Sequence, residues 1–412
     1  MPMDRLEAAL GRDLADLVTQ GRAKGAESVI TAVVPAAEGR GPRYLLAGHG
    51  DRPFLKMNSN NYLGLGLDPE VMAAEEAGTA RFGAGPGAVR FISGTYAPHV
   101  ELEAALAAFH GRAAGMIWSS AYATMIGTLV PLLTAESAVI SDELNHNCII
   151  NALRLARPKA KIVYKHNDLA GLAAGLEQAA AEGCKRAVVV TDGIFSMRGD
   201  HAPLAEVVAL VRTASPRFEE DAVLVVDDSH GVGAFGATGR GTEEYTGTLG
   251  ASDVLIGTLG KAFGVNGGYV VSSARVIEYL RETSPTYIYS NPITPGEAVA
   301  AKKALEVLTG PRGQGILDHL RAMTRRFESG LLALGYETIP GEHPVTPLMV
   351  RDTPKTNALV AHLREHGILA TGLKFPVVPR GDESIRFQIS ADHTAADIDE
   401  TLAALASFPG RG

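Results

Sequence analysis

The chain has 412 residues, 46% hydrophobic and 20% charged, which is enough apolar material for a full-sized core and a length that suits two or three structural units. A formal net charge of −8 with no long basic run excludes the electrostatic footprint of a nucleic-acid binder. The two cysteines, Cys148 and Cys184, stand in no metal spacing and form no disulfide framework, and no apolar run approaches a membrane span, so a cytoplasmic protein without membrane or metal is expected.

Residues 1–56 combine an amphipathic stretch, LEAALGRDLADLVTQ, with Gly-, Ala- and Pro-rich coil, and are read as an N-terminal arm that cannot form a core alone. From 57 to 300, short β-rich runs alternate with helical ones. Strands are expected at GMIWS, AVIS, KIVYK, RAVVVTD, AVLVVDD, VLIGT and GGYVVSS, with VELEAALAAFH, DLAGLAAGLEQAAAEG and PLAEVVALVRTA among the helices between them. Near-continuous apolar strands separated by helices predict an α/β fold whose mostly parallel sheet is covered on both faces. After a Pro-bounded segment that starts at Ser290, residues 301–412 read as a long helical region followed by a smaller C-terminal αβ domain with strands TPLMV and SIRFQIS.

The stretch GTLGKAFG, 257–264, sets a lone lysine in a glycine-rich turn straight after an apolar strand. A Walker phosphate loop fails on spacing, since Leu255 and Ala262 occupy its glycine and hydroxyl positions. A second nucleotide signal, GVGAFG at 231–236, follows the strand AVLVVDD only after an intervening DDSH and does not open a helix, as a dinucleotide fold requires. An imine-forming lysine accounts for more. Asp227 ends strand AVLVV at the carboxyl edge of a parallel sheet, where ligands of α/β proteins sit. Pyridoxal 5′-phosphate needs an amine, a carboxylate for its ring nitrogen and anion donors for its phosphate. Lys261, Asp227 and the helix that starts after Ser119 and Ser120 would supply all three, with Thr258 adding a hydroxyl and His146 a flat ring. In isolation, Ser120 reads equally well as a plain N-cap, and His146 more readily as a surface or capping residue.

Seven stretches in order, SNNYLGL, GAVRFISGT, LNHNCII, TDGIFSM, VDDSHGVGAFGATGRG, GTLGKAFG and PVVPRGDESIRFQIS, resemble the α-oxoamine synthases, fold-type I (aspartate aminotransferase-like) pyridoxal-phosphate enzymes that condense an amino acid with an acyl-CoA. The resemblance covers about residues 40–410, and its nearest branches are 2-amino-3-ketobutyrate CoA ligase (glycine C-acetyltransferase) and 8-amino-7-oxononanoate synthase. It implies a large domain with a seven-stranded, mostly parallel sheet, a smaller C-terminal domain, and a homodimer with shared active sites. By motif, Lys261 would be the Schiff-base lysine and Asp227 would pair with the ring nitrogen. His230 and Ser196 would reach the phenolic oxygen, and His146 would stack on the ring. Ser120, Ala121, Tyr122 and Thr258 would hold the phosphate, joined by Ser290 of the other chain. Asn60 and Arg386 would bind the amino-acid carboxylate, Arg386 through two parallel hydrogen bonds.

Two departures bear on substrate. Val89 and Phe91 flank Arg90 where the 5-aminolevulinate branch has polar residues that bind a succinyl carboxylate, so an uncharged acyl group is expected, acetyl above all, delivered by CoA or an acyl carrier protein. Arg198 stands where the family has an acid, and either meets CoA phosphates or an anionic acyl tail, or is a neutral surface change. The implied activity is condensation of a small amino acid, glycine first, with an acyl-CoA. The alternatives are a decarboxylating condensation of alanine or serine with a longer thioester, and an aminotransferase or lyase on the same fold that uses no thioester.

Overall fold

The computed structural model describes residues 3–410. In chain order its elements are α1 (Asp4–Thr19), β1 (Ile30–Val34), β2 (Arg43–Leu46), β3 (Pro53–Lys56), α2 (Pro69–Phe82), α3 (Ala97–Phe109), β4 (Ala114–Trp118), α4 (Ala121–Leu132), β5 (Ser137–Asp142), α5 (Asn147–Leu155), β6 (Ala160–Tyr164), α6 (Leu169–Ala181), β7 (Arg186–Asp192), α7 (Leu204–Ala214), β8 (Ala222–Asp227) and α8 (Thr242–Tyr245). There follow β9 (Val254–Thr258), β10 (Gly268–Ser272), α9 (Ala274–Thr283), α10 (Pro285–Ile288), α11 (Pro295–Thr309), α12 (Gly313–Ala333), β11 (Glu337–Thr338), β12 (Val345–Met349), α13 (Thr353–Glu365), β13 (Ile368–Leu369), β14 (Thr371–Leu373), β15 (Ser384–Gln388) and α14 (Ala395–Ala406).

The chain forms two compact units. The larger comprises Ser59–Thr324 with Gly341–Pro344, and the other joins the described residues up to Asn58 to Arg325–Pro340 and the segment from Val345. The division expected at residue 300 therefore falls at Arg325, inside α12, because α11 packs on α2 of the larger unit. Gly78 and Gly296 make that contact close, since a Cβ on Gly78 would stand 3.0 Å from Gly296 Cα.

The larger unit is built on a seven-stranded sheet in the order β4-β10-β9-β8-β7-β5-β6. The pairs β5–β6, β5–β7, β7–β8 and β8–β9 are parallel, and β10 alone runs against both of its neighbours. All seven expected strands are present. The runs of β4, β5, β7, β8, β9 and β10 are buried on both faces, whereas the edge strand β6 leaves Lys161 and Val163 exposed; Met116, Val139, Val188, Val190, Val225 and Ile256 share one core with residues of α4, α5 and α9. Gly257 in the middle of β9 makes room for an aromatic ring: its cross-strand partner Tyr269 lies where a Cβ would be, 2.2 Å from the ring. The fully buried Tyr269 hydroxyl pairs with His110 Nε2 at 2.8 Å.

In the other unit, β1-β2-β3-β13 form one four-stranded sheet and β11-β12-β15-β14 a second. The N-terminal region thus carries three strands instead of the expected coil, and it is tied in by parallel pairing of Leu55 with Ile368, which no local pattern announces. Helix α1 buries none of its residues. Among the described residues, no helix is long and apolar enough to cross a membrane.

Gly257→Ala should force the Tyr269 ring out of its slot. We expect a destabilisation of about 1–3 kcal/mol, read as a lower denaturant midpoint at unchanged slope.

Candidate active site

Register sets the site. In the adjacent strands β7, β8 and β9, Asp192 stands opposite Asp227 and Asp227 opposite Ile256, so three carboxyl ends lie side by side. The lysine turn leaves β9 as a hairpin to β10. Its neck is closed by Leu259 N–H to Gly267 O (2.9 Å), Val265 N–H to Leu259 O (3.0 Å) and the Thr258 hydroxyl to Gly267 O (3.2 Å). Lys261 is half-buried on this hairpin and lines a cavity open to solvent with Ala121, Tyr122, His146, Cys148, Asp192, Ile194, Asp227, Ser229 and His230.

One wall of the cavity is the start of α4. Ser120 caps it by accepting the Ala123 N–H at 3.1 Å, which leaves the Ala121 and Tyr122 amides, the first two of the helix, without a carbonyl in the helix. The approach is close because Gly268 opens β10, where a Cβ would stand 2.4 Å from Ala121 Cα. These amides and the positive end of the helix form an anion-binding wall. A second wall is the start of α5, where His146 Nδ1 accepts the Cys148 N–H at 3.2 Å, so Nε2 carries the proton of the neutral ring.

Acids crowd the floor. Asp227 accepts the Ser229 N–H at 3.1 Å through Oδ1 and lies 3.7 Å from Cys148 Sγ through Oδ2. Burial, with Asp227 and Asp192 nearby, pushes the Cys148 thiol up, so it stays protonated, with His146 Nδ1 at 2.9 Å and Asp227 at 3.7 Å as the acceptors within reach. Asp192 accepts the backbone N–H of His146 through Oδ2 at 3.2 Å, while its Oδ1 and the Ser229 hydroxyl are buried without a partner among the described residues. Burial and the charge of Asp227 hold Asp192 well above the usual carboxylate range, against the pull of Lys261.

His230 is held from behind. The buried Tyr62 hydroxyl lies 2.8 Å from His230 Nδ1 and donates to Asn60 Oδ1 at 3.2 Å, and His343 Nε2 donates to the His230 carbonyl at 2.8 Å. Asp228 points away from the cavity, accepting the Thr242 N–H at 2.7 Å and its hydroxyl at 2.6 Å. Cβ atoms on Gly193, Gly231 and Gly241 would each come within 2.3 Å of its carboxylate, and this dry setting lifts its pKa to about 8 despite the Thr242 hydrogen bonds. GVGAFG itself runs as turns that close at a Val232–Arg240 bridge, and only the four-residue α8 follows.

Of the residues singled out in the sequence, Lys261, Asp227, His230, His146, Ala121 and Tyr122 line the cavity together. Ser120 caps the adjoining helix, and Thr258 accepts the Gly260 N–H at 3.1 Å inside the lysine hairpin. Ser196 is buried in the loop after β7, and Asn60 touches the site through Tyr62. Ser290 lies partly exposed beside the 80% exposed Tyr289, and Val89 adjoins the segment Arg90–Gly94, whose Phe91 is 68% exposed. Arg386 belongs to β15 of the other unit. Sequence reasoning missed Asp192, Cys148, Ser229 and Tyr62. The first three sit within quoted motifs beside residues that were chosen, and Tyr62 is two positions from Asn60.

A half-buried amine, a carboxylate at a strand end, a flat imidazole, an anion-binding helix start and orphaned buried oxygens in one cavity fit pyridoxal 5′-phosphate. Fold and site together define a fold-type I pyridoxal-phosphate transferase. The family model Aminotransferase class I and II matches residues 52–405. The chain is 40% identical to 2-amino-3-ketobutyrate coenzyme A ligase of Escherichia coli (strain K12) over 347 residues, covering 84% of this chain and 85% of that one. It is also 40% identical to 8-amino-7-oxononanoate synthase of Symbiobacterium thermophilum over 366 residues, covering 89% and 90%. Serine palmitoyltransferase of Sphingomonas wittichii superposes with a TM-score of 0.87 at 27% identity, covering 98% and 97%. The chain belongs to the class I and II aminotransferase family and, within it, to the α-oxoamine synthases, acyltransferases that use pyridoxal phosphate.

Because the folded-state pKa of Asp228 is raised, its neutral form is favoured on folding, and its contribution to stability fades as pH rises from about 4 towards about 8. Asp228→Asn mimics the protonated side chain. Its denaturant midpoint should fall less between pH 5 and pH 8 than that of the parent, and equal slopes would show that Asp228 ionises normally.

Proposed function

We propose that this protein condenses glycine with a CoA thioester of an uncharged acyl group, acetyl first, to a β-keto amino acid and free CoA. The observation that carries this reading is the 40% identity over 84% of the chain to a relative named for 2-amino-3-ketobutyrate, whose carbon skeleton is glycine Cα joined to an acetyl group. The apolar Val89 and Phe91 support it, since neither can pair with a carboxylate on the acyl chain.

When bound, pyridoxal phosphate supplies a carbonyl for the substrate amine and a conjugated ring that takes up electron density from Cα. The residues of the chain would do the rest. Ser120, the Ala121 and Tyr122 amides and Thr258 hold the phosphate, with Ser290 reaching it from the partner subunit of a homodimer. Asp227, which accepts the Ser229 N–H beside the Cys148 thiol, would keep a proton on the ring nitrogen, and His146 would lie against the ring face. Ser196 and His230 bond the phenolic oxygen. Arg386 and Asn60 grip the amino-acid carboxylate and so fix which Cα bond stands perpendicular to the ring. Lys261 Nζ takes the Cα proton. The Cα carbon then joins the thioester carbonyl, the C–S bond breaks, and CoA leaves as the thiol after protonation, with His230 donating to the transient oxyanion. A reducing compartment such as the cytoplasm suits Cys148 and Cys184, both buried as free thiols.

A second reading has its own observation. The skeleton of 8-amino-7-oxononanoate corresponds to alanine, less its carboxylate, joined to a seven-carbon diacid chain, and the relative of that name also matches at 40% identity. It would need a cationic group for the distal carboxylate. Arg198 is a candidate: its Nε–H donates to Asp200 at 2.9 Å, which leaves the four N–H groups of its terminal amines for such a carboxylate.

Visible absorption of the protein loaded with pyridoxal phosphate, titrated in turn with glycine, alanine, serine and threonine, tests the amino acid. Thiol release from acetyl-CoA and longer acyl-CoAs tests the donor. Glycine with acetyl-CoA is the expected pair. Alanine with a long-chain donor supports the second reading, and thiol release from no donor overturns both. Lys261→Ala should lose the lysine-linked absorption band and reduce turnover by at least about 10²–10⁴-fold.

A further inference from the structure

Three loops at the carboxyl edge meet at a group of charges outside the cavity. His166 follows β6, and each of its ring nitrogens faces a carboxylate: Nδ1 lies 3.3 Å from Asp142 Oδ1, and Nε2 lies 3.1 Å from Asp200 Oδ2. A neutral imidazole has a single N–H and would leave one of these contacts between two acceptors, so the arrangement requires the protonated ring. Asp142 ends β5 fully buried and also accepts the Leu144 and Asn167 amides, both at 2.8 Å. It therefore anchors the loop that leads to His146. Asp200 closes the turn that contains Ser196, its carbonyl accepting the Phe195 N–H at 2.9 Å, and its Oδ2 also takes the Arg198 Nε–H. The edge of the His166 ring meets Phe195 at 4.4 Å.

Charge explains Arg198. Asp142 and Asp200 carry two negative charges, and His166 with Arg198 balances them. An acid at position 198 would leave the group with a net negative charge. The other polar group at the ring is Asn167 Nδ2, 3.4 Å from Nε2; Glu143 accepts the backbone N–H of His166 at 3.2 Å and pairs with Lys165. Desolvation of the half-buried ring works against its proton, but the hydrogen bonds and charges of Asp142 and Asp200 outweigh it and raise the pKa to about 9.

We propose that His166 is a positioning residue: its imidazolium, clamped between Asp142 and Asp200, fixes the two loops that carry His146 and Ser196 and so preorganises the cofactor cavity. The clamp rests on the cofactor placement given above. A raised histidine pKa stabilises the fold fully below the ordinary value near 6.5, and this stabilisation is lost as pH rises through about 9. The cavity should loosen over that interval.

The test is the dissociation constant of the holoenzyme for pyridoxal phosphate from pH 6.5 to 10, with NMR titration of the His166 ring. The parent should show weakening centred near pH 9 and a ring midpoint above pH 8. His166→Gln should bind at least about tenfold more weakly at pH 7, as expected when hydrogen bonds to charged groups are lost, and should show no step near pH 9. Parental affinity at pH 7, or a persisting step, overturns the clamp. Should that variant fail to fold, Asp200→Asn retains the ring, and both the step and the ring midpoint should move towards the ordinary histidine range; a midpoint that stays near 9 overturns the proposal. A parent that binds no pyridoxal phosphate overturns the reading of the cavity, while a ring midpoint near 6.5 overturns the clamp on its own.

Discussion

Everything at the site depends on the register between β7, β8 and β9. Successive residues of a strand point to opposite faces, so the pair Asp227-Asp228 sends one acid into the cavity and the other into a pocket walled by three glycines. A slip of one residue would exchange them. It would turn the carboxylate held by Thr242 into the cavity and drive Asp227 into a space with no room for an ionised group. The hydrophobic covering of both faces of the sheet therefore specifies the chemistry as firmly as the chemical residues do.

The second constraint is the concentration of negative charge. Asp192, Asp227 and Asp228 are buried near one another, and one edge of the group is completed by a thiol that keeps its proton. Buried acids of this kind are costly unless they are neutralised, and here each is managed differently. Asp228 takes up a proton, Asp192 is lifted towards doing so, and Asp227 stands nearest the place where a cationic ring nitrogen would lie. The balanced set of Asp142, His166, Asp200 and Arg198 keeps a further two carboxylates from adding to the load.

Much of this was legible in the sequence. Six strands of the large sheet announce themselves as apolar runs because both their faces are covered, the edge strand β6 being the exception, and Asp227 stands out as the first polar position after its run. Lys261, Asp227, His230 and His146 were found in that way or by motif. Cys148 and Asp192 were not, since a thiol in an apolar helix start and an acid after a valine run look like packing until the strands are set side by side. Tyr62 was missed because its partner His230 is 168 residues away. The strands of the first 58 residues were hidden for a similar reason: β3 depends on a two-residue partner, β13, whose own pattern is too short to read. Arg198 shows the reverse case, in which the sequence flagged an oddity and only its distance to Asp200 explained it.

The lysine hairpin has a consequence for how the amine can move. Most loops at the carboxyl edge of such a sheet lead into a helix, but this one returns directly along β10, and both ends of its neck are hydrogen-bonded. The backbone cannot swing. Freedom is left to the four-carbon stem of Lys261, which pivots about a fixed Cα within the reach of its own bonds. An amine released from one partner thus stays confined to a volume a few ångströms across, where its effective concentration towards a nearby proton far exceeds anything attainable in solution. The single antiparallel strand of the sheet is thus the tether that holds the Lys261 amine at the cavity.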